Sequence, residues 1–368
     1  MRVIISGGGT GGHIFPAIAI ADALISMQPK TEVLFIGAEG KMEMNLVPQA
    51  GYKIKGLPIR GFQRKITINN LSFPFKLILS LWKAYQVLKE FKPEMVIGLG
   101  GYASGPTLKV ANWLNIPTMI QEQNSYAGAT NRLLGNKAKK IFVAYDQMDK
   151  FFKKENLMFT GNPIRKTLKS SDLDQRSSVL ALGLNPNLKT IFIFGGSLGA
   201  KTLNEAVVKG WPILDNPDGV NLIWQIGKLN WEKYGKMSPV GLKNVKAFSF
   251  IEDMAVVYNA ADLVVCRAGA LAISEIALLG KPTILVPSPN VAEDHQTSNA
   301  MALVNKKAAV LIKDSEADEK LVSVMLDLVQ NDSMLEKLSK NIGFFAKPDA
   351  AIKIAEEILK YGSSNKGN

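Results

Sequence analysis

Two histidines, His13 and His295, are the only imidazole side chains in the 368-residue chain. His13 closes the glycine-rich stretch Ser6–His13 (SGGGTGGH), and His295 lies in the sequence EDHQ. The unperturbed pKa of histidine is ~6.5, so this side chain can accept a proton near neutral pH. A lone histidine is more often structural than catalytic. Because His13 directly follows a glycine loop, it is the better candidate for a general base.

Three glycine-rich loops follow short apolar runs: Gly7–Gly12, Gly98–Gly105 and Gly195–Gly199. Glycine clusters permit positive φ angles or close approach of another group to the backbone. The N-terminus of a following helix offers N–H groups that suit a phosphate. In open α/β sheets, ligands bind at the carboxyl ends of the strands, where all three loops fall. The loops predict a site for phosphate or sugar groups rather than three independent structural turns.

Short β-rich runs alternate with longer amphipathic stretches, which indicates βαβ units and parallel sheets. Helices are predicted at Ala17–Met27 and Leu77–Glu90. Strands are predicted at Val3–Ile5, Val33–Ile36, Met95–Gly98, Pro117–Ile120, Ile141–Ala144, Thr190–Phe194, Leu222–Gln225, Val245–Phe248, Leu263–Cys266 and Thr283–Val286. The strand–glycine loop–helix pattern begins again at Thr190, so the chain is predicted to form two doubly wound, Rossmann-like α/β domains facing a central cleft.

The predicted domains are 1–163 and 164–342, followed by a C-terminal helix within 343–368 that packs back toward the first domain. The polar segment Lys166–Asn187 is expected to join the two domains. A chain of 368 residues exceeds what one hydrophobic core normally organises, which agrees with two domains.

Charge and cysteine usage narrow the classes of function. The net charge is +12, and residues 1–160 carry 20 Lys and Arg against 10 Asp and Glu, a net of +10. A basic half suits an anionic lipid surface or an anionic substrate; no nucleic-acid-binding motif is present, so no nucleic-acid partner is expected. The single cysteine, Cys266, excludes an intrachain disulfide and fits a reducing compartment. We expect no signal peptide and no transmembrane span.

No cluster of His, Cys or carboxylate residues has the spacing of metal ligands. Asp172-Leu173-Asp174 has the D-x-D pattern that some sugar transferases use for a metal, but it lies in the polar connecting segment and is interpreted as solvated surface. The sequence therefore predicts no required cofactor, although a divalent cation remains compatible with it.

Seven sequence blocks, in order, closely resemble the MurG family, the undecaprenyldiphospho-muramoylpentapeptide N-acetylglucosaminyltransferases of bacterial cell-wall synthesis, which have the GT-B fold. The resemblance covers almost the full length. The blocks are GGGTGGHIFPA (Gly7–Ala17), GLGGYASGP (Gly98–Pro106), EQN (Glu122–Asn124), GNPIR (Gly161–Arg165), FGGSLGA (Phe194–Ala200), CRAGALAISEIALLGKPTILVP (Cys266–Pro287) and DHQTSNA (Asp294–Ala300).

The resemblance implies transfer of N-acetylglucosamine from UDP-N-acetylglucosamine to the C4 hydroxyl of the muramoyl sugar of lipid I, with inversion, forming lipid II. It places the acceptor and the membrane contact in the first domain and the donor in the second. It also implies a peripheral protein on the cytoplasmic face of the cell membrane. N–H groups at a glycine loop would stabilise the charge on the departing diphosphate. A base must take the acceptor proton, and His13 is the best candidate.

The resemblance also assigns substrate-binding residues. Glu275 matches the acid that holds the ribose hydroxyls, and a carboxylate suits such a diol. The main chain of Ile251 matches the uracil contact, and Asn124 matches the contact to the N-acetyl group. The remaining matches are loop, helix-start and sugar contacts: Thr10, Gly11, Gly12, Arg165, Ser197, Ala270, Leu271, His295 and Gln296. Arg165 equally suits a structural ion pair.

One position departs from the family pattern. Many members have a histidine before Glu-Gln-Asn, whereas this chain has Gln121, so the role of that position stays open. Two alternative functions are disfavoured by the sequence. A related UDP-sugar transferase acting on diacylglycerol is disfavoured by the first loop and by Glu122-Gln123-Asn124. A nicotinamide-dependent oxidoreductase is disfavoured because the first loop is not G-x-G-x-x-G and Gly37-Ala38 end the second strand.

The stretch Leu71–Lys83 mixes apolar and aromatic residues with lysines. Such a helix can lie in the headgroup region of a membrane, with Lys76 and Lys83 meeting anionic lipid. The alternative is a core helix with ordinary surface lysines. We expect the basic, apolar surface to bind an anionic membrane.

Overall fold

The computed structural model describes residues 1–59, 73–165, 168, 173–196, 199–214, 219–237 and 244–364. The chain divides into two compact units. Unit 1 comprises Met1–Arg165 and Lys347–Asn368, and unit 2 comprises Lys166–Ala346. The boundaries expected from sequence were at 163/164 and 342/343. Each unit contains one parallel sheet and its own hydrophobic core.

Unit 1 is built on a seven-stranded sheet whose neighbouring strands are all parallel. Its strands are β1 (Arg2–Ser6), β2 (Glu32–Ala38), β3 (Lys53–Leu57), β4 (Met95–Gly98), β5 (Thr118–Glu122), β6 (Lys140–Val143) and β7 (Leu157–Phe159). The strand order is β3-β2-β1-β4-β5-β6-β7. Ser6 lies opposite both Ile36 and Gly98, so the loops after β1, β2 and β4 begin side by side.

Helices cover both faces of this sheet, as the buried, apolar central strands require. They are α1 (Gly11–Met27), α2 (Glu43–Gln49), α3 (Phe73–Phe91), α4 (Ser104–Trp113), α5 (Ala129–Gly135) and, after unit 2 in the chain, α15 (Ala350–Ser364). α15 packs against α1, and its Ile354 and Ile358 are buried in the same core as Ile20 of α1.

Unit 2 repeats the same plan with six parallel strands in the order β10-β9-β8-β11-β12-β13. They are β8 (Thr190–Phe194), β9 (Asn221–Gln225), β10 (Val245–Phe248), β11 (Leu263–Cys266), β12 (Thr283–Leu285) and β13 (Val310–Leu311). Phe194 lies opposite both Gln225 and Cys266, so three loops again begin side by side at the carboxyl edge.

The helices of unit 2 flank its sheet. They are α6 (Gln175–Ala181), α7 (Lys201–Lys209), α8 (Trp211–Leu214), α9 (Trp231–Tyr234), α10 (Met254–Ala260), α11 (Ala270–Leu278), α12 (His295–Val304), α13 (Ala317–Val329) and α14 (Asp332–Gly343). None of the described helices of either unit is long and apolar enough to cross a membrane.

The prediction of two doubly wound α/β domains is confirmed, and every predicted strand is present, with no end shifted by more than two residues. Three strands were missed. β3 contains two lysines at the sheet edge, and β7 and β13 have only three and two residues. Such short or polar edge strands carry little hydrophobic alternation.

Two local predictions need correction. α1 begins at Gly11 rather than Ala17, because the last glycines of the loop already form the first turn. The polar segment expected to join the domains contains α6, which packs against α10 within unit 2. Asp174 caps this helix, accepting a hydrogen bond from the Ser177 N–H at 2.7 Å. Asp172 lies outside the described residues.

Candidate active site

His13 lies in the first turn of α1, where the loop after β1 presents it at the carboxyl edge of the sheet of unit 1. Its Nδ1 lies 2.9 Å from the Gly8 carbonyl oxygen and 3.2 Å from the Thr10 hydroxyl oxygen. A carbonyl oxygen only accepts hydrogen bonds, so Nδ1 carries the proton of the neutral ring. Nε2 then keeps its lone pair, which is the form that a general base requires.

The first two glycine loops pack against each other in unit 1. A Cβ at Gly101 would overlap the Gly8 carbonyl, and a Cβ at Gly100 would lie 3.0 Å from His13 Nε2. Gly100 and Gly101 also have φ angles of +92° and +80°, a conformation that other residues rarely adopt. Their glycine character therefore allows close contact between the loops and leaves space beside Nε2.

Glu43, at the start of α2, is a buried carboxylate behind the first loop. One oxygen accepts a hydrogen bond from the Gly9 N–H at 2.9 Å, and the other accepts one from the Ala38 N–H at 3.0 Å. A Cβ at Gly8 would overlap this carboxylate. The loop is therefore held from behind by a charged group.

A second buried carboxylate, Glu122, organises the loop that carries Asn124. It accepts hydrogen bonds from the Asn124 N–H at 3.0 Å, the Gly128 N–H at 2.9 Å and the Asn131 amide at 2.8 Å. Asn124 is half-buried at the same edge of unit 1 as His13. Glu122 thus fixes the backbone on both sides of Ser125 and orients the asparagine assigned to substrate.

Gln121 belongs to a buried amide network. Its Nε2 donates to Asn162 Oδ1 at 2.9 Å, its Oε1 accepts from Gln123, and Asn162 donates in turn to the Gln123 carbonyl at 3.1 Å. Gln123 also donates to the Leu99 carbonyl at 2.9 Å. The position left open by the sequence therefore supports the strand ends beneath the second glycine loop.

Arg165 lies with the first-loop residues of unit 1. Its guanidinium carbon is 4.2 Å from the centroid of the Phe15 ring, within the range of a cation–π interaction. The Phe15 ring also packs over Gly11, where a Cβ would lie 3.1 Å from it. Phe15 thus holds a positive charge close to the start of α1.

The third glycine loop, in unit 2, is held by a neutral side chain. Gln225, the last residue of β9, donates to the Gly196 carbonyl at 3.2 Å and accepts from the Ile251 N–H at 2.9 Å. One amide therefore ties the glycine loop to the residue assigned to the uracil. The Ile251 N–H already donates to Gln225, so the main-chain group that Ile251 could offer to a uracil N–H is its carbonyl. Ser197 lies outside the described residues.

Glu275, on α11, is 5 % exposed, which separates it from an ordinary solvated helix residue. Its Oε2 accepts a hydrogen bond from the Tyr258 hydroxyl at 3.2 Å. The Tyr258 ring packs edge-on against Phe192 and Phe194 of β8. The carboxylate is consequently held in one orientation by a ring that belongs to the core.

Ala270 and Leu271 form the first turn of α11, after the Gly269 N-cap. The first N–H groups of a helix have no partner within it, and they suit an anion or a sugar oxygen. Arg267 supports this loop by donating to the Val286 carbonyl at 3.1 Å and pairing with Asp314.

His295 and Gln296 begin α12 in unit 2. Gln296 Oε1 accepts a hydrogen bond from the Ser288 N–H at 2.9 Å, which ties α12 to the segment after β12. Asn299 donates to the Ala268 carbonyl at 3.2 Å, so α12 also meets the loop before α11. The pair assigned to sugar hydroxyls therefore lies at the same sheet edge as Glu275.

Cys266, which ends β11, is fully buried, and burial raises the pKa of its thiol to about 12. A neutral, buried thiol is unreactive, so Cys266 serves the core. Within the described ranges, no three His, Cys, Asp or Glu residues group so that they could hold a metal ion.

α3 presents an unusual surface in unit 1. Its buried face is formed by Ser80, Ala84, Val87 and Leu88, while Phe75, Ile78, Leu79, Trp82 and Tyr85 are exposed. Trp82 is 60 % exposed and Phe75 is 71 % exposed. Lys83 forms an ion pair with Glu39 at 2.6 Å. The exposed face of the helix is therefore largely apolar from Phe75 to Tyr85, and its last turns expose polar residues. One of the two lysines expected to bind lipid already has an anionic partner. Leu71 and Ser72 lie outside the described residues.

Several functional candidates were not found from sequence: Glu43, Gln225 and Tyr258. Gln225 had a usable signal, since a polar residue ends an otherwise apolar strand. Glu43 had none, because it lies in a polar stretch (GAEGKMEM) and its burial depends on Gly8, which belongs to the loop after β1. Glu122 belongs to the Glu-Gln-Asn block, but the sequence indicated no role for the glutamate itself.

Comparison with protein families places both units in one group. The glycosyltransferase family 28 N-terminal domain matches residues 3–143, and the glycosyltransferase family 28 C-terminal domain matches residues 190–354. A solved structure of MurG from Acinetobacter baumannii is 31% identical, with a TM-score of 0.74, and the match covers 98% of this chain and 99% of that one.

Curated relatives are more similar in sequence. A protein from Bacteroides fragilis is 51% identical over 362 residues, 98% of this chain and 95% of its own length. One from Flavobacterium psychrophilum is 52% identical over 367 residues, 99% of each chain. Both are named UDP-N-acetylglucosamine–N-acetylmuramyl-(pentapeptide) pyrophosphoryl-undecaprenol N-acetylglucosamine transferase. The chain therefore belongs to this family of N-acetylglucosamine transferases, within glycosyltransferase family 28.

Proposed function

We propose that the protein transfers N-acetylglucosamine from UDP-N-acetylglucosamine to the C4 hydroxyl of the muramoyl sugar in lipid I, forming lipid II with inversion at the anomeric carbon. The observation that carries this proposal is the identity of 51–52% across nearly the whole chain to relatives named for that transfer. The polar residues at the two sheet edges supply groups suited to each step.

The bond between the acceptor O4 and the anomeric carbon forms as the bond between that carbon and the β-phosphate oxygen breaks. The electron pair of the broken bond leaves on UDP, and the O4 proton passes to a base. His13 suits this role because the Gly8 carbonyl holds the proton on Nδ1 and leaves Nε2 to accept. Glycine at position 100 avoids the Cβ that would lie 3.0 Å from Nε2.

The donor groups belong to unit 2. Glu275 is oriented by Tyr258 to accept two hydrogen bonds from the ribose hydroxyls. The first-turn N–H groups at Ala270 and Leu271 and the loop at Gly196 are suited to the diphosphate, whose charge grows as the bond breaks. The Ile251 carbonyl is suited to the uracil N3–H.

The acceptor carries a lipid, so the protein must work at a membrane surface, which we place at the cytoplasmic face. The apolar face of α3, defined by Phe75, Ile78, Leu79, Trp82 and Tyr85, is the docking surface that the structure favours. An exposed aromatic and aliphatic stripe on one helix suits the interfacial region of a bilayer. Lys76 and the wider basic excess of residues 1–160 add attraction to anionic lipid.

The direct test is transfer of labelled N-acetylglucosamine from UDP-N-acetylglucosamine to a soluble lipid I analogue by the purified protein. We expect a product in which the new linkage is β, and we expect competition by UDP. The same assay with a chelator tests the expectation that no divalent cation is required. Failure to glycosylate the analogue, together with normal binding of UDP-N-acetylglucosamine, would redirect the proposal to another acceptor.

A further inference from the structure

One peptide group connects a buried carboxylate to His13. The carbonyl of the Gly8–Gly9 peptide lies 2.9 Å from His13 Nδ1, and the N–H of that same peptide donates to Glu43 Oε2 at 2.9 Å. The carbonyl and the N–H of a trans peptide point in opposite directions. Glu43, the peptide and the imidazole therefore form one continuous hydrogen-bond chain.

This hydrogen-bond chain is fixed in place at Glu43. Glu43 is 1 % exposed, and its second oxygen accepts a hydrogen bond from the Ala38 N–H at 3.0 Å. A Cβ at either Gly8 or Gly37 would collide with the Glu43 side chain. Gly9 has φ of +85°, which glycine adopts without strain. The glycines of the first loop thus make room for the carboxylate and turn the linking peptide toward it.

The physical effect of this arrangement follows from the peptide dipole. A negative charge at the N–H end draws that proton and pushes electron density toward the carbonyl oxygen, because successive hydrogen bonds polarise one another. The Gly8 carbonyl then accepts more strongly from Nδ1–H. It also faces the positive charge that appears on the ring when Nε2 takes a proton. In hydrolase triads a carboxylate does this by direct contact with the imidazole.

We propose that Glu43 is a positioning residue for His13, acting through the Gly8–Gly9 peptide to hold the Nδ1–H tautomer and to stabilise the protonated ring. Glu43 reaches the ring only through the peptide and takes no direct part in the chemistry. The proposal rests on the proposed role of His13 as the base, and the experiments below separate the two.

The first test is the tautomer of His13. Because the chain has only two histidines, the ¹⁵N signals of both rings are resolvable after histidine labelling, with His295 as an internal reference. We expect the neutral wild-type ring to be protonated at Nδ1. Glu43→Gln should replace this single form with a mixture. Glu94→Gln is the matched control, because Glu94 also accepts from a backbone N–H but lies at the opposite edge of the sheet. A His13 ring that stays wholly Nδ1-protonated in Glu43→Gln overturns the proposal.

The second test is kinetic. Glu43→Gln should lower kcat by roughly 10- to 100-fold, the range found when a histidine that binds a metal loses the hydrogen-bond partner of its other ring nitrogen, with little change in KM for the donor. In the His13→Ala background the same substitution should cause no further loss of kcat, because the imidazole on which Glu43 acts is already absent. Equal losses in both backgrounds mean that Glu43 only supports the fold, and they overturn the proposal. If His13→Ala alone keeps full activity, His13 is not the base. The tautomer measurement still tests whether Glu43 controls the protonation of the His13 ring.

A third measurement needs no substitution at Glu43, in case that variant does not fold. Protonation of His13 should shift the Gly9 amide proton signal, because both belong to one hydrogen-bond chain. In His13→Ala the Gly9 signal should lose this pH-dependent shift. A Gly9 amide proton that does not respond to His13 titration in the wild type overturns the proposal.

Discussion

The two units end their parallel sheets in glycine loops, but the side chains behind those loops differ in charge. In unit 1 the first glycine loop is supported by the buried carboxylate Glu43, and a second buried carboxylate, Glu122, supports the neighbouring loop that carries Asn124. In unit 2 the third loop is supported by the neutral amide of Gln225. A carboxylate a few Å away repels a phosphate strongly where water is excluded. The difference suggests a division of work, with the base in unit 1 and the diphosphate in unit 2.

The largest effect is expected in unit 1. His13→Ala removes the proposed base, so kcat should fall roughly 100-fold or more, the usual contribution of a positioned general base. Donor affinity, measured by calorimetry with UDP-N-acetylglucosamine, should stay close to the wild-type value. Loss of donor affinity together with kcat would mean that the first loop also binds the donor, and the division between the units would not hold.

Unit 2 should show the opposite pattern. Glu275→Ala removes two hydrogen bonds to the ribose, and each bond to a charged group is worth about 1.5–3 kcal/mol. Donor affinity should therefore fall by roughly 100-fold or more, because the two bonds together are worth about 3 kcal/mol or more. Tyr258→Phe, which removes only the hydroxyl that orients the carboxylate, should weaken binding less, by about 0.5–1.5 kcal/mol. Unchanged calorimetric affinity in a folded Glu275→Ala variant would remove this residue from the donor site.

Replacing the neutral support of the third loop by a charged one tests whether the charge of the support explains the difference between the units. Gln225→Glu places a carboxylate behind the third loop. The variant keeps the size of the side chain and the acceptor for the Ile251 N–H, and it loses the hydrogen bond to the Gly196 carbonyl. Affinity for UDP should fall about 10-fold, a cost of ~1.4 kcal/mol. Affinity for uridine, which has no phosphate, should change much less. If both ligands lose affinity equally, the substitution has disturbed the loop, and the charge of the support does not explain the difference between units.

The smallest effect is expected at the apolar face of α3, which only unit 1 carries. Replacing Phe75 and Trp82 with serine should reduce binding to vesicles several-fold, because each loses buried apolar area at the bilayer. Turnover of a short-chain soluble acceptor should be retained. Leu133→Ser, at another strongly exposed position of unit 1, is the matched control.

Salt dependence distinguishes electrostatic attraction from apolar burial at this surface. Attraction between lysines and anionic lipid weakens as the Debye length falls from ~10 Å at 0.1 M salt to ~3 Å at 1 M, whereas apolar burial does not. Because Lys83 is paired with Glu39, charge reversal at Lys76 should lower vesicle binding more than charge reversal at Lys83. Equal binding of the Phe75/Trp82 variant and the wild type would place the docking surface elsewhere.

The sheets, the loops at their strand ends and the position of His13 after the first loop could be predicted from the sequence, because they depend on local pattern. An apolar strand, a run of glycines and a helix are read within twenty residues, and parallel topology brings successive strand ends to one edge. The supports behind the loops could not be predicted in this way. Glu43 is buried only because Gly37, at the end of β2, and Gly8, in the loop after β1, leave room for it, and the contact with Gly8 joins residues far apart in the sequence.

The surface of α3 shows the same limit. Composition indicated a helix with both apolar residues and lysines, but not which of them face water. Packing of Ser80, Ala84 and Val87 against the core decides this, and it turns the aromatic residues outward. The ion pair of Lys83 joins residues 44 positions apart, a separation that local pattern does not reveal.

The packing of α15 against α1 has a consequence for biosynthesis. The core beneath α1 includes Ile354, Ala355 and Ile358, which a ribosome adds only after all of unit 2 has been made. Domains tend to fold as they emerge, so unit 2 has every residue of its own core available before unit 1 does. The helix that begins beside His13 must wait, with part of its apolar surface uncovered, for a segment more than 300 residues downstream. Completion of the proposed catalytic unit is thereby tied to completion of the whole chain.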